Sequence, residues 1–418
     1  MAHTPPALPV PPAARHLRAS DLRGMVHLAA QATVGVSRIA EGVHQSVRGQ
    51  LGMPPGRVPG QTRGITGLAY RSVEGIARLF AGGATGVLAS LEPLLAADHP
   101  DCVPSPQRLA VLAVLNGVLG DRLHASGNPL AIPMALRWQG TDVTAASPPA
   151  EIRRSPRLVL LLHGLCMNEL QWQVSTPEGV FDHGALLAQG LQAPALYLRY
   201  NSGRHISDNG ADLAVLLEQL LGDAAAVPAR RLSVVAHSMG GLLIRSAVHQ
   251  AAQQGMAWPA RLRDIVFLGT PHHGAPLERA GSVIDAVLGS TPWSRPFARL
   301  GHVRSAGITD LRHGSVSSTD WQGRDRFGRG PAHHQHVPLP EGVACHTVAA
   351  TLASRGSRVA ERLVGDGLVP LRSALGQHDD PLRRLVFARE AQTIAWRTGH
   401  LALLRSPAVA DRLAAWLA

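Results

Sequence analysis

The chain has 418 residues, 45% of them hydrophobic, and a formal net charge of +11. That is enough apolar chain for one large α/β domain plus an extension, and it sets the protein among globular chains. All 40 basic residues are arginine, scattered without a basic stripe or interleaved aromatics, so no nucleic-acid partner is expected. Three cysteines, Cys102, Cys166 and Cys345, are odd in number and far apart, which excludes a disulfide framework and fits a reducing compartment.

The first element in chain order, residues 1–20, is a Pro/Ala-rich tail expected to be disordered; prolines stand where a signal peptide needs an apolar run. Residues 21–150 read as a helical N-terminal region. Met25, Leu28, Ala32, Ile39, Val43 and Val47 recur at helical spacing, and a further helix is expected over "QRLAVLAVLNGVLGDRL". No uncharged apolar run reaches membrane-span length, so a cytoplasmic protein is expected, with peripheral membrane contact of the N-terminal helices as an open alternative.

The texture changes at about 151. "RLVLLLHG", "APALYLRYNSG", "RLSVVAHS" and "RDIVFLGTPHHG" read as strands, with helical "GADLAVLLEQLL" and "GGLLIRSAVHQAAQQ" between them. Strand and helix in alternation predict a mostly parallel sheet with helices on both faces, over residues 151–418. Residues 280–345 lose this rhythm and read as an irregular, lid-like insert. "CHTVAAT" and "RRLVFARE" restore strand character, and "LLRSPAVADRLAAWLA" closes as a helix.

The chemistry-bearing residues fall where strands end. In "VVAHSMGG", Ser238 stands where a strand becomes a helix, with Ala236 two before it and Gly240 two after. Such a tight turn exposes the serine above the sheet at the positive end of the following helix. The competing reading is a serine that only caps the helix. A serine nucleophile needs a histidine base, and the base needs a carboxylate; in this type of sheet the chain order is serine, acid, histidine. Asp366 in "VGDGLVPLRSA" and His400 in "WRTGHLALL" meet that order. Asp310, Asp320, Asp325, Asp379 and Asp380 are competing acids read as solvated charge, and His378 is the weaker base. The oxyanion donors expected are the backbone N–H groups of Met239 and Leu165. His163 and Gly164 set the turn before Leu165, with His163 read as a structural hydrogen-bonding residue and Cys166 as a small loop hydrophobe.

Together, "LLLHGLCMNE", "VVAHSMGG", "LGTPHHGAPLE", "VGDGLVPLRSA" and "TGHLALL" resemble the α/β-hydrolase superfamily over about residues 155–418. The resemblance is to the lipase/esterase branch that includes bacterial triacylglycerol lipases and GPI inositol-deacylase-like proteins; the alanine at 236 matches lipases that carry A-H-S-M-G. It implies an α/β-hydrolase fold and a serine hydrolase of carboxylic esters, with an acyl ester or lipid as substrate and no cofactor. It also implies that Thr270, Pro271 and His272 sit near the substrate, the alternative being a turn of fixed shape with no contact; Tyr200, after a strand, either borders the pocket or braces its loop, and His163, Gly164 and His237 are further substrate-side candidates. An acyltransferase on the same triad and a non-catalytic lipid- or protein-binding scaffold are the alternatives. "AHHQH" at 332–336 has no carboxylate or cysteine at ligand spacing, so no metal is expected.

Overall fold

The computed structural model describes residues 20–21, 23–31, 74, 105–177, 179–222, 230–275, 305–323, 335–355 and 365–418. Residues 1–19 of the expected tail, most of the N-terminal helical region, 280–304 and 324–334 of the expected insert, and the "AHH" of "AHHQH" lie outside these residues.

An eight-stranded sheet forms the core. Its strands are β1 (Ala135–Trp138), β2 (Thr141–Val143), β3 (Arg157–Leu162), β6 (Ala195–Arg199), β7 (Arg231–His237), β8 (Leu262–Leu268), β9 (Ala344–Thr351) and β10 (Gln392–Trp396). β4 (Gln173–Thr176) and β5 (Gly179–Asp182) make a separate antiparallel hairpin. The sheet order is β10-β9-β8-β7-β3-β6-β1-β2, parallel from β10 to β6, with β1 antiparallel to β6 and to β2. This is an α/β-hydrolase fold. The central strands are apolar nearly throughout because helices cover both faces. Leu158 to Leu162 of β3 and Val234 to Ala236 of β7 are almost wholly removed from water.

The sheet reaches upstream of residue 151 to take in β1 and β2. These strands are only four and three residues long and lie at the edge, so they carry no apolar run. "RRLVFARE" is not a strand. Leu385 and Phe387 are buried, and Phe387 packs edge-on to Phe267, but the segment pairs with no strand; the last sheet position goes to Gln392–Trp396. Alternating burial there comes from a loop wrapped on the core rather than from a ladder. Among the described part of 280–345, an eight-residue helix, Ala306–His313, is capped by the Ser305 hydroxyl and ends at Gly314 in the left-handed conformation.

The chain divides into two compact units, one of residues 1–108 and 123–131, the other of 109–122 and 132–418. Within the first, the Arg108 guanidinium donates to Asp21 at 2.7 Å, and the Asn128 amide donates to the Gly24 carbonyl. Within the second, residues 109–122 of helix α1 (Pro106–Ala125) press two glycines onto loops that leave the sheet. A Cβ on Gly117 would lie 2.2 Å from the Cys166 sulfur, and one on Gly120 would lie 1.8 Å from Asn201 Oδ1. Asn201 in turn donates to the Gly120 carbonyl at 2.9 Å. Small residues are needed at both positions for this approach.

Candidate active site

The site forms at the carboxyl ends of β3, β7, β8 and β9, where loops of a parallel sheet converge. β7 ends at His237, and the next helix, α2 (Met239–Gln253), starts after a single intervening residue. Ser238 occupies that junction with φ 54° and ψ −121°. A positive φ in a non-glycine residue is strained, and it persists only where the surroundings impose it. Here a strand buried on both faces feeds directly into a helix whose first residues are buried. The Ser238 N–H donates to the Leu268 carbonyl at 2.8 Å, which pins the turn to the end of β8. The Ser238 side chain makes no capping hydrogen bond, so the helix-capping role is not the one its hydroxyl plays. The hydroxyl lies at the positive end of α2.

Asp366 and His400 meet directly. Asp366 Oδ2 accepts from His400 Nδ1 at 2.7 Å, with both side chains at least 95% buried. The other carboxylate oxygen, Oδ1, accepts from the backbone N–H groups of Leu368 and Val369 at 2.9 and 2.8 Å. The His400 N–H donates to the Asp366 carbonyl at 3.0 Å. The carboxylate is thus hydrogen-bonded on both oxygens, which is what a buried charge requires. With Nδ1 donating to Asp366, the neutral imidazole keeps a lone pair on Nε2.

His400 is also fixed from below. The His237 ring lies 4.7 Å from the His400 ring and its Nε2 donates to the His400 carbonyl at 3.3 Å. Burial, then the neighbouring His400, holds the His237 pKa well below the ordinary histidine value, so His237 is a neutral support. Gly269, at φ 58°, passes close by, and a Cβ there would lie 3.1 Å from His400 Nδ1. Only glycine suits that conformation and that distance together.

The loop after β3 closes on Ser238 from the other side. A Cβ on Gly164 would lie 3.1 Å from Ser238 Cβ and 3.2 Å from His237 Nδ1. Leu165 and Met239 are both buried beside this contact. His163 donates from Nδ1 to the Gly164 carbonyl at 2.8 Å, accepts the Tyr200 N–H at Nε2 at 3.4 Å, and stacks on the Tyr200 ring at 4.2 Å. The Tyr200 hydroxyl donates to the His163 carbonyl at 2.9 Å. Burial lowers the His163 pKa to about 4. His163 and Tyr200 therefore brace the turn as one neutral unit. Burial pushes the Cys166 thiol up to about 12, so it stays protonated and unreactive at neutral pH.

The loop after β8 holds Thr270, Pro271 and His272. The Thr270 side chain packs on helix α2, where a Cβ on Gly241 would lie 2.0 Å from its Oγ1. His272 is buried against Phe267 and Phe387, its pKa far below the ordinary value because of burial. Its packing is that of a core residue, with only 3% exposed.

Of the competing groups, Asp310 and Asp320 are buried rather than solvated, each with its own partners. Asp310 pairs with His205 at 3.0 Å, and Asp320 accepts from the Val316, Ser317 and Gln335 N–H groups. Asp379 and Asp380 lie in an exposed turn with His378, as expected; Asp325 lies outside the described residues. The sequence reading missed Glu169, which forms ion pairs with Arg199 and Arg137 just after the β3 loop. Its signal was weak, since a single Glu after "CMN" looks like any surface acid. No group of three or more His, Cys, Asp or Glu able to hold a metal ion occurs among the described residues. No helix among them is long and apolar enough to cross a membrane.

One family model matches residues 128–288, described as a domain of unknown function (DUF7379). No curated protein matches the chain. Among solved structures, the chain is similar to the mature Bacillus licheniformis lipase BlEst2, at 19% identity over 62% of this chain and 90% of that one, with a TM-score of 0.38. It is similar also to an alpha/beta hydrolase fold protein from Chitinophaga pinensis, at 12% identity over 63% and 90% of the two chains and a TM-score of 0.34. A third is the phospholipase PlaB from Legionella pneumophila, at 15% identity over 52% and 44% and a TM-score of 0.32.

Proposed function

We propose that the protein is a serine hydrolase of carboxylic esters, with Ser238 as nucleophile, His400 as general base and Asp366 as the carboxylate that orients the base. The observations that carry the reading are the 2.7 Å Asp366–His400 hydrogen bond and a serine held at φ 54° at a helix N-terminus. His400 Nε2 takes the hydroxyl proton as Ser238 Oγ attacks the ester carbon. The oxyanion accepts from the Leu165 and Met239 N–H groups. His400 then protonates the leaving alcohol, and water activated at the same nitrogen releases the acid. Asp366 keeps the proton on Nδ1 and stabilises the imidazolium. Thr270, Pro271 and Gly164 border the substrate; His163, His237, Tyr200 and His272 act by holding the walls.

The test is release of free acid from a chain-length series of nitrophenyl esters. Wild-type protein should release acid and alcohol in equal amounts, while Ser238→Ala should retain no more than about one part in a thousand of the rate. Acyl transfer to an added alcohol in place of acid release would favour an acyltransferase. Equal rates in the two proteins would remove the reading.

A further inference from the structure

A cavity of about 590 Å³ is lined by His273, Arg312, His313, Arg372, His378 and Asp379 among others. Its walls come from three segments far apart in the chain. The first is the end of the β8 loop. The second is the C-terminal turn of the helix Ala306–His313, and the third is the stretch that follows the Asp366 loop. The segments are tied together. Ser373 Oγ accepts from the His273 N–H at 3.1 Å and donates to the Gly274 carbonyl at 2.9 Å, and His273 Nε2 donates to the Gly376 carbonyl at 3.0 Å. A Cβ on Gly274, at φ 84°, would lie 2.1 Å from the Arg312 carbonyl. This is a built wall, not a gap between loose loops.

The lining is cationic. Arginine stays charged at any working pH. Arg372 pairs with Asp379, an exposed ion pair that solvent weakens. Arg312 makes no ion pair among the described residues, so the two arginines outweigh the one acid in the lining. His273 is held near neutral, its pKa lowered to about 4 chiefly by burial; with Nε2 donating to Gly376, its Nδ1 is left as an acceptor for a hydroxyl.

Two short chain segments connect the cavity's lining to residues of the site. Gly269, where an added Cβ would lie 3.1 Å from His400 Nδ1, and His273 are four residues apart, as are Asp366 and Pro370; such a stretch spans at most about 14 Å.

We propose that this cavity binds an oxyanion, phosphate or carboxylate, on the head group of the ester substrate, with Arg312 and Arg372 as its donors. The inference rests on the ester-hydrolase reading for its substrate, but its test does not need turnover. The full-length Ser238→Ala protein is titrated calorimetrically at low salt with glycerol 3-phosphate, glycerate and glycerol. Saturable binding of glycerol 3-phosphate or glycerate, but not of glycerol, is expected, and whichever anion binds tighter names the oxyanion. Arg312→Ala and Arg372→Ala introduced separately should each weaken binding about 10-fold or more, with Arg312→Lys intermediate. In active protein, the kcat/KM ratio of 1-acylglycerol 3-phosphate to the matching 1-acylglycerol should fall by a similar factor in the Arg312→Ala variant. No anion binding, or binding unchanged in both arginine-to-alanine variants, overturns the proposal. Anion binding without any ester turnover would instead leave the cavity standing and remove the hydrolase reading.

Discussion

Asp366→Asn is expected to lower kcat for a nitrophenyl ester by about 10³- to 10⁴-fold while leaving the fold intact. The amide keeps the size of the carboxylate, and its oxygen can still accept from the Leu368 and Val369 N–H groups. What it loses is the charge and the fixed preference for a proton on His400 Nδ1. With the amide NH₂ turned to Nδ1, the imidazole carries its proton on Nε2 and has no lone pair for the serine. Steady-state kinetics with circular dichroism on the same preparation checks this. A variant with near wild-type kcat would mean that His400 takes its orientation elsewhere, and the buried Asp310 and Asp320 would be the next acids to test.

Gly240→Ala is expected to cost at least about 100-fold in activity and about 1–3 kcal/mol in stability, because it forces extra volume into a packed site. The added Cβ would lie 2.7 Å from the Leu162 carbonyl oxygen and 2.8 Å from that of His163. Both are backbone atoms at the end of β3, so no side chain can swing aside. Helix α2 has to move away from the loop that carries Leu165, and the two N–H groups assigned to the oxyanion separate. A displacement of about 1 Å in such a site is enough for a 10²-fold loss. Gly190→Ala serves as the control. It lies within the helix His183–Leu191, and its Cβ would meet nothing within 4 Å. There the exchange should raise stability by up to about 1 kcal/mol and leave kcat alone. Thermal unfolding and kcat measured on both variants decide it; equal behaviour would show that the approach of α2 to β3 is not critical.

The two variants mark what the sequence made legible. Central strands are mostly apolar and sit beside glycines, so β3, β7 and β8 stand out as apolar stretches, and β9 is legible by its β-branched and small residues. Ser238 stands at the end of β7 among small residues, and Asp366 and His400 each stand beside a glycine in the loops that follow β9 and β10. Edge strands follow no such rule. Gln392–Trp396 is half-exposed along its whole length, and the more apolar "RRLVFARE" drew the reading although its leucine and phenylalanine serve as loop anchors. The hairpin of β4 and β5 has little buried surface to announce it. Contacts between distant segments leave no local pattern either. Nothing near His237 in the sequence indicates that its ring supports the His400 carbonyl 163 positions away. The cationic cavity likewise exists only once residues 273, 312 and 372 are folded together.

The account turns on whether Ser238 is the activated nucleophile, and covalent labelling addresses that directly. A fluorophosphonate probe reacts with a serine whose proton a neighbouring base removes. Intact mass followed by peptide mapping should give one adduct, on the peptide holding Ser238. Its rate of formation should drop by at least about 10²-fold in His400→Ala. No adduct on wild-type protein, or an adduct on another serine with Ser238 unmodified, would contradict the account.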